Sequence, residues 1–169
     1  FRSQFLISKS TDDGLTWSEP RNITRQVKKE KWWLLAPGPG RGITMEDGTL
    51  VFPVEGRNED GLQFSTIMWS KDKGENWTVG EPAYYNTNEC QVVELSDHSL
   101  MLNMRERSNR GRQEGNGRAI AVTADLGKTW TEHPTSRRAL IEPACQASLL
   151  RHDYIEDGEE RQDRKSTRL

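Results

Sequence analysis

Glu89 and Arg105 are the two residues of this chain whose types and placement best suit chemistry. They sit at the ends of the stretch NECQVVELSDHSLMLNMR, residues 88–105, which reads as two short strands around a tight turn at Ser96-Asp97-His98-Ser99. In an antiparallel hairpin the start of the first strand and the end of the second lie side by side. A carboxylate and a guanidinium are therefore expected at one edge of one sheet, as a base beside a group that holds an anion. Taken alone, a pair of this kind also reads as a surface salt bridge contributing about 0–1 kcal/mol.

The elements that must position this hairpin are announced by an internal repeat. It runs Ser10-Thr11-Asp12-Asp13-Gly14-Leu15-Thr16-Trp17, then Ser70-Lys71-Asp72-Lys73-Gly74-Glu75-Asn76-Trp77, then Thr123-Ala124-Asp125-Leu126-Gly127-Lys128-Thr129-Trp130. The tryptophans are 60 and then 53 residues apart, a period that suits propeller blades or a related array. In each copy the aspartate (Asp12, Asp72, Asp125) suits a turn that needs N–H acceptors. The glycine (Gly14, Gly74, Gly127) supplies a positive φ, and the tryptophan (Trp17, Trp77, Trp130) packs the returning strand into the core. These aspartates read as structural rather than catalytic.

Between the turns, strands fall at 5–8 and 16–20, then at 40–45, 49–54, 64–70 and 76–79 as one meander. A second meander is 90–95, 100–104, 119–123 and 129–133, and a third begins at 145–150. Glu46-Asp47-Gly48, Asn58-Glu59-Asp60-Gly61 and Asn116-Gly117 supply turn chemistry. No helical periodicity competes, so the class is all-β. The repeated turn always joins the third strand to the fourth. Up-and-down geometry then puts Pro37-Gly38-Pro39-Gly40, Glu55, Arg57, Glu89, Arg105, Glu142 and Gln146 on one face and the three aspartate turns on the other.

The 169 residues suffice for one ordinary domain, with 33% hydrophobic and 30% charged residues. A net charge of −2 gives no basic surface for nucleic acid, and no apolar run reaches transmembrane length. Cys90 and Cys145 each read as a small buried thiol at a strand start rather than a disulfide framework. His98, His133 and His152 have no metal-ligand spacing and read as surface residues, and neither metal nor cofactor is expected. Arg107, Arg110 and Arg112 read as a solvated loop, and Trp32 and Trp33 as packing residues with sugar stacking as the other option. Residues 155–169 are charged and patternless, and the last seven match one frame of a common sequencing adapter. That tail is expected to be disordered or artefactual, leaving 1–154 as the folded unit.

The repeat is the Asp-box. It occurs in order with GPGRGITMEDGTLVFP (38–53), TNECQVVELSDHSLMLNMR (87–105) and EPACQASLL (142–150). On these motifs the chain resembles the sialidase family (exo-α-sialidases, or neuraminidases), particularly the bacterial secreted type, over residues 1–154. The resemblance implies a six-bladed β-propeller, of which this chain holds about two complete four-stranded blades plus parts of two more. It also implies removal of terminal sialic acid from glycoproteins, glycolipids or oligosaccharides with retained configuration, by a protein that is secreted or periplasmic.

The family binds the sugar carboxylate with three arginines and attacks with a tyrosine activated by a glutamate, while an aspartate serves as acid/base. A tyrosine is the recognised exception among glycosidases, and a phenol of pKa near 10 needs a neighbouring base. By resemblance, Glu89 is that glutamate, Arg105 the second arginine and Gln146 a glutamine near the sugar. Glu55 and Arg57 end a second strand that touches substrate. The remaining groups would lie before Phe1 and after the tail, making the chain an internal fragment that is inactive alone. A trans-sialidase, and a non-catalytic Asp-box propeller that binds glycans or proteins, are the alternatives.

Overall fold

The computed structural model describes residues 3–112, 114–142 and 144–166, the stretch from residue 160 by backbone alone. Short antiparallel strands dominate. In chain order they are β1 (Leu6–Ile7), β2 (Arg21–Asn22), the single helical turn α1 (Thr24–Val27), β3 (Trp32–Pro37), β4 (Ile43–Thr44), β5 (Leu50–Asn58), β6 (Gln63–Ser70), β7 (Thr78–Val79) and β8 (Tyr84–Tyr85). Then follow β9 (Thr87–Glu94), β10 (Leu100–Glu106), β11 (Ala119–Thr123), β12 (Thr131–Glu132), β13 (Leu149–Glu156) and β14 (Glu159–Ser166).

The second meander forms as a four-stranded sheet in the order β12-β11-β10-β9. The first meander differs at its opening strand. Where one strand over 40–45 is expected, β3 pairs the far half of β5, from Trp32↔Asn58 to Pro37↔Val54, and β4 pairs the near half at Ile43↔Val51 and Thr44↔Leu50. The Pro-Gly-Pro-Gly run breaks the strand in two, because proline lacks a ladder N–H. Gly38 also passes so close to β9 that a Cβ there would lie 2.8 Å from the Cys90 carbonyl.

Packing explains the apolar runs 50–54 in β5 and 67–69 in β6. Alternate side chains leave opposite faces of a strand, and here both faces are covered. Val54, Phe64 and Met68 join Phe5, Ile23, Val27, Trp32, Leu35 and Trp77 in one core. Val51 and Ile67 join Met45, Val92, Leu100, Leu102 and Met104 in a second core against the β9–β12 sheet. The sheet built on β5 and β6 is thus sandwiched between its neighbours, and each fully buried large apolar side chain contributes about 1.5–3 kcal/mol.

Three packing expectations are corrected. Trp77 is buried at 4% exposure, but Trp17 is 65% exposed because the sheet carrying it has two strands. Cys90 is buried, whereas Cys145 is exposed on the loop ahead of β13. Of the tryptophan pair, Trp32 is buried with its ring 4.5 Å from that of Phe64, and Trp33 is half-exposed.

The tail also differs from the disordered expectation. β13 and β14 pair in full register from Leu149↔Ser166 to Glu156↔Glu159. The reason is local: Asp157 and Gly158 both take positive φ, 53° and 80°, which is the two-residue hairpin turn that Asp-Gly favours. Residues 167–169 of the adapter-like stretch lie outside the described residues.

Candidate active site

Hairpin register sets the geometry. β9 and β10 pair regularly from Leu100↔Glu94 to Met104↔Cys90, then shift so that Glu106 faces Thr87. The extra residue on β9 makes a β-bulge opposite Arg105, a device that re-aims side chains at strand ends. Arg105 Nη1 donates to Glu89 Oε2 at 2.8 Å, with the side chains 25% and 28% exposed. The acid and the base meet at one sheet edge and remain open to solvent.

Glu55 belongs to the same neighbourhood. It stands across from Ser65, whose hydroxyl donates to the Asn88 carbonyl at 2.6 Å and ties β6 to the residue before Glu89. Burial raises the Glu55 pKa above the ordinary carboxylate value, and the charge of Glu89 raises it further while Arg105 opposes both. Glu55 therefore keeps its proton to a higher pH than an ordinary carboxylate does. Arg57, two residues along the same strand, is exposed. Gln146 is half-buried next to Cys145, whose carbonyl accepts from Arg118.

Arg118 is the functional-region residue that sequence reading missed. Its side chain is 3% exposed and that of Glu142 is 2% exposed, with Nη1 bonded to Glu142 Oε2 at 2.6 Å. Arg118 Nε also donates to Asn103 Oδ1. Glu142 Oε1 accepts from the backbone N–H of Glu106 at 2.8 Å and from Asn109 Nδ2 at 2.9 Å. Burial pushes the Arg118 pKa down, against the pull of Glu142, and pushes the Glu142 pKa up, against its hydrogen bonds and Arg118. Among the described residues, Gln63 Oε1, Asn88 Oδ1, Asn103 Nδ2, Arg105 Nε and Arg118 Nη2 are buried atoms with no protein hydrogen-bond partner. The signal that could have found Arg118 was its alternation: it begins the run into β11, where a charged residue facing inward needs a partner.

The Asp-boxes lie at the other end of their sheets. Thr123, which opens the third box, pairs with Leu100, at the end of β10 remote from Arg105. In all three copies the first Ser or Thr donates to Asp Oδ1 at 2.8 Å, as in Ser10–Asp12, Ser70–Asp72 and Thr123–Asp125. Hydrogen bonds from the Thr16 hydroxyl and N–H hold Asp12 to a pKa of about 2, those from Asn76 do the same for Asp72, and those from Thr129 for Asp125. The glycine keeps its positive φ, 89° at Gly74 for example. These contacts are those of turns.

Near the Asp-box end of β9, the donor atoms of Glu46, Glu94 and His98 lie within 4.8 Å of one another. They could in principle hold a cation. Protein groups already engage them, however: the Glu46 N–H and His98 Nδ1 bond Glu94, and Arg151 Nη2 reaches Glu46 at 3.0 Å. A cavity of about 320 Å³ opens beside them, lined in part by Arg41, Gln91, Val93 and Arg151.

The BNR repeat-like domain model matches residues 2–165. This chain belongs to that family. It is 54% identical over 148 residues to a sialidase of Bacteroides fragilis, covering 88% of this chain and 26% of the relative. It is 34% identical to a sialidase of Clostridium perfringens, over 84% of this chain and 38% of the relative. Among solved structures it is similar to the Hadza microbial sialidase Hz136 at a TM-score of 0.81 and 50% identity, covering 88% of this chain and 28% of that one. It is also similar to the intramolecular trans-sialidase from Ruminococcus gnavus in complex with oseltamivir carboxylate, at a TM-score of 0.71 and 27% identity, over 92% of this chain and 31% of that one. The family resemblance read from the motifs therefore holds, and the architecture is propeller-type. The chain spans about a quarter to two fifths of the length of these relatives.

Proposed function

We propose that this chain is part of a retaining exo-α-sialidase that removes terminal sialic acid from glycoconjugates, and that it contributes about two complete blades, plus parts of two more, to a six-bladed propeller. Glu89 is the base that takes the proton of a tyrosine nucleophile supplied by the rest of the protein. Arg105 holds the sugar carboxylate beside two further arginines, and Gln146, Glu55 and Arg57 border the sugar. A phenol is a suitable nucleophile here, since an anionic one would be repelled by the carboxylate on the reacting carbon. The observation that carries the reading is the half-exposed 2.8 Å contact between Arg105 and Glu89 on a bulged strand end. By resemblance to the bacterial secreted type, the complete protein is secreted or periplasmic.

In the complete protein, Glu89→Gln is expected to lower kcat on a fluorogenic sialoside about 10²–10⁴-fold, the usual loss for an acid–base group. Arg105→Lys keeps a charge but loses the planar fork, at a cost of about 1.5–3 kcal/mol in kcat/KM. Wild-type rates in both variants would take the pair out of the site. The likeness to the Ruminococcus gnavus enzyme favours a second reading, a trans-sialidase. Product analysis separates the two: free sialic acid alone supports hydrolysis, and an anhydro or transferred sugar supports the second reading.

A further inference from the structure

The environment of Arg105 is built by residues that do not face the pocket. Asn103, two residues before Arg105, accepts from Arg118 Nε. Glu106, the residue directly after it, gives its backbone N–H to Glu142 Oε1 at 2.8 Å. Arg118 and Glu142 are joined to each other at 2.6 Å. One buried ion pair thus grips the strand on both sides of a single half-buried arginine. This happens where the ladder can no longer do so: the last β10–β11 pair is Met104↔Ala119, and the β9 register shifts at Arg105 itself.

Glu142 is in turn fixed in its own backbone, its N–H donating to the Asn116 carbonyl at 2.9 Å and its carbonyl accepting from Asn116 Nδ2 at 3.0 Å. Arg118 Nη1 also donates to the Cys145 carbonyl at 2.9 Å, so the same guanidinium anchors the residue before Gln146.

We propose that the Arg118–Glu142 pair is a positioning device that aims the Arg105 guanidinium at the sugar carboxylate and sets the Gln146 loop beside it. The proposal rests on the reading of Arg105 given above. Arg105 stands on β10 opposite the β9 bulge and past the last β10–β11 pair, so its side chain has a wider range of directions. Charge-assisted bonds in a water-excluded setting hold direction better than neutral ones. Neither Arg118 nor Glu142 needs to touch substrate for this.

The test compares affinities, in the complete protein, for N-acetylneuraminic acid and for its uncharged C1 carboxamide. The acid-to-amide ratio belongs to the folded molecules, so partial unfolding cancels out. The double variant Arg118→Met with Glu142→Leu removes the pair without stranding a buried charge. It is expected to shrink the ratio about tenfold while affinity for the amide changes less than twofold. Glu142→Gln keeps an acceptor for the Glu106 N–H but loses the charge, and is expected to lose part of the ratio, less than the double variant does. Arg105→Ala is the reference and should lower the ratio at least about tenfold, the two further arginines keeping the remainder. If Arg105→Ala leaves the ratio intact, the reading of the site fails. If Arg105→Ala collapses it and the double variant does not, the positioning role alone is overturned. Equal losses for acid and amide in the double variant overturn it as well, since they would mark a merely structural pair.

Discussion

The three Asp-box aspartates and Glu89 are all carboxylates, and their partners assign them different work. Asp72 sits among donors that favour its ionised form: the Asn76 N–H at 2.8 Å, Asn76 Nδ2 at 2.7 Å and the Ser70 hydroxyl at 2.8 Å. Its pKa is lowered from the ordinary 3.8 to about 2. A carboxylate whose pKa is depressed in the folded state adds stability above its unfolded value and loses it as pH falls through the folded value. The melting temperature should therefore drop as pH goes from about 4 to about 2, with Asp12 and Asp125 acting in the same sense. Asp72→Asn should flatten that pH dependence and lower the melting temperature at neutral pH, read by circular dichroism across the range. A variant with the wild-type pH profile would show that the turn draws nothing from the charge. Glu89, by contrast, is bonded through Oε2 to Arg105 at an edge where its side chain is 28% exposed.

At the scale of elements, the β9–β10 hairpin serves two ends at once. Its middle, Val92, Leu100 and Leu102, is locked in the core shared with Val51 and Ile67. Its open end carries Glu89 and Arg105 beyond that core. A rigid body with a bulged tip is a sound way to hold polar groups at a sheet edge, because the apolar anchor fixes the strand and the bulge frees its end to re-aim side chains. Leu102 is fully buried, so Leu102→Ala should cost about 2–5 kcal/mol in urea unfolding. A cost below about 1 kcal/mol would mean that the sheet-to-sheet core collapses readily around the gap. The third aspartate turn lies at the other end of the hairpin from Arg105.

At the scale of the whole molecule, sheets stack face to face, and each needs the next to bury its apolar side. The chain spans 26% of the Bacteroides fragilis relative's length. Its first and last sheets therefore lack the neighbours that a complete propeller supplies. Unpaired strand edges and uncovered faces promote association, and Trp17 and Ile155 are 65% and 75% exposed. The chain produced alone is expected to elute from size-exclusion chromatography as concentration-dependent oligomers and to show no sialoside hydrolysis. A monomeric, active preparation would contradict both the propeller reading and the assignment of the missing groups.

Sequence by itself determined the class, the repeat, the second meander strand for strand, and the neighbourhood of Glu89 and Arg105, because alternation and turn chemistry are local and a hairpin's ends must meet. It misplaced the opening strand of the first meander, where Trp32–Pro37 takes over, since strand partnership is decided by what the sheet edge offers rather than by β-propensity. It passed over the Asp157-Gly158 turn in favour of charge density. Arg118, and with it the pairing of Arg118 to Glu142, escaped it for a deeper reason. The two are 24 residues apart and on different segments, and only the folded chain removes water from both and leaves each as the other's partner.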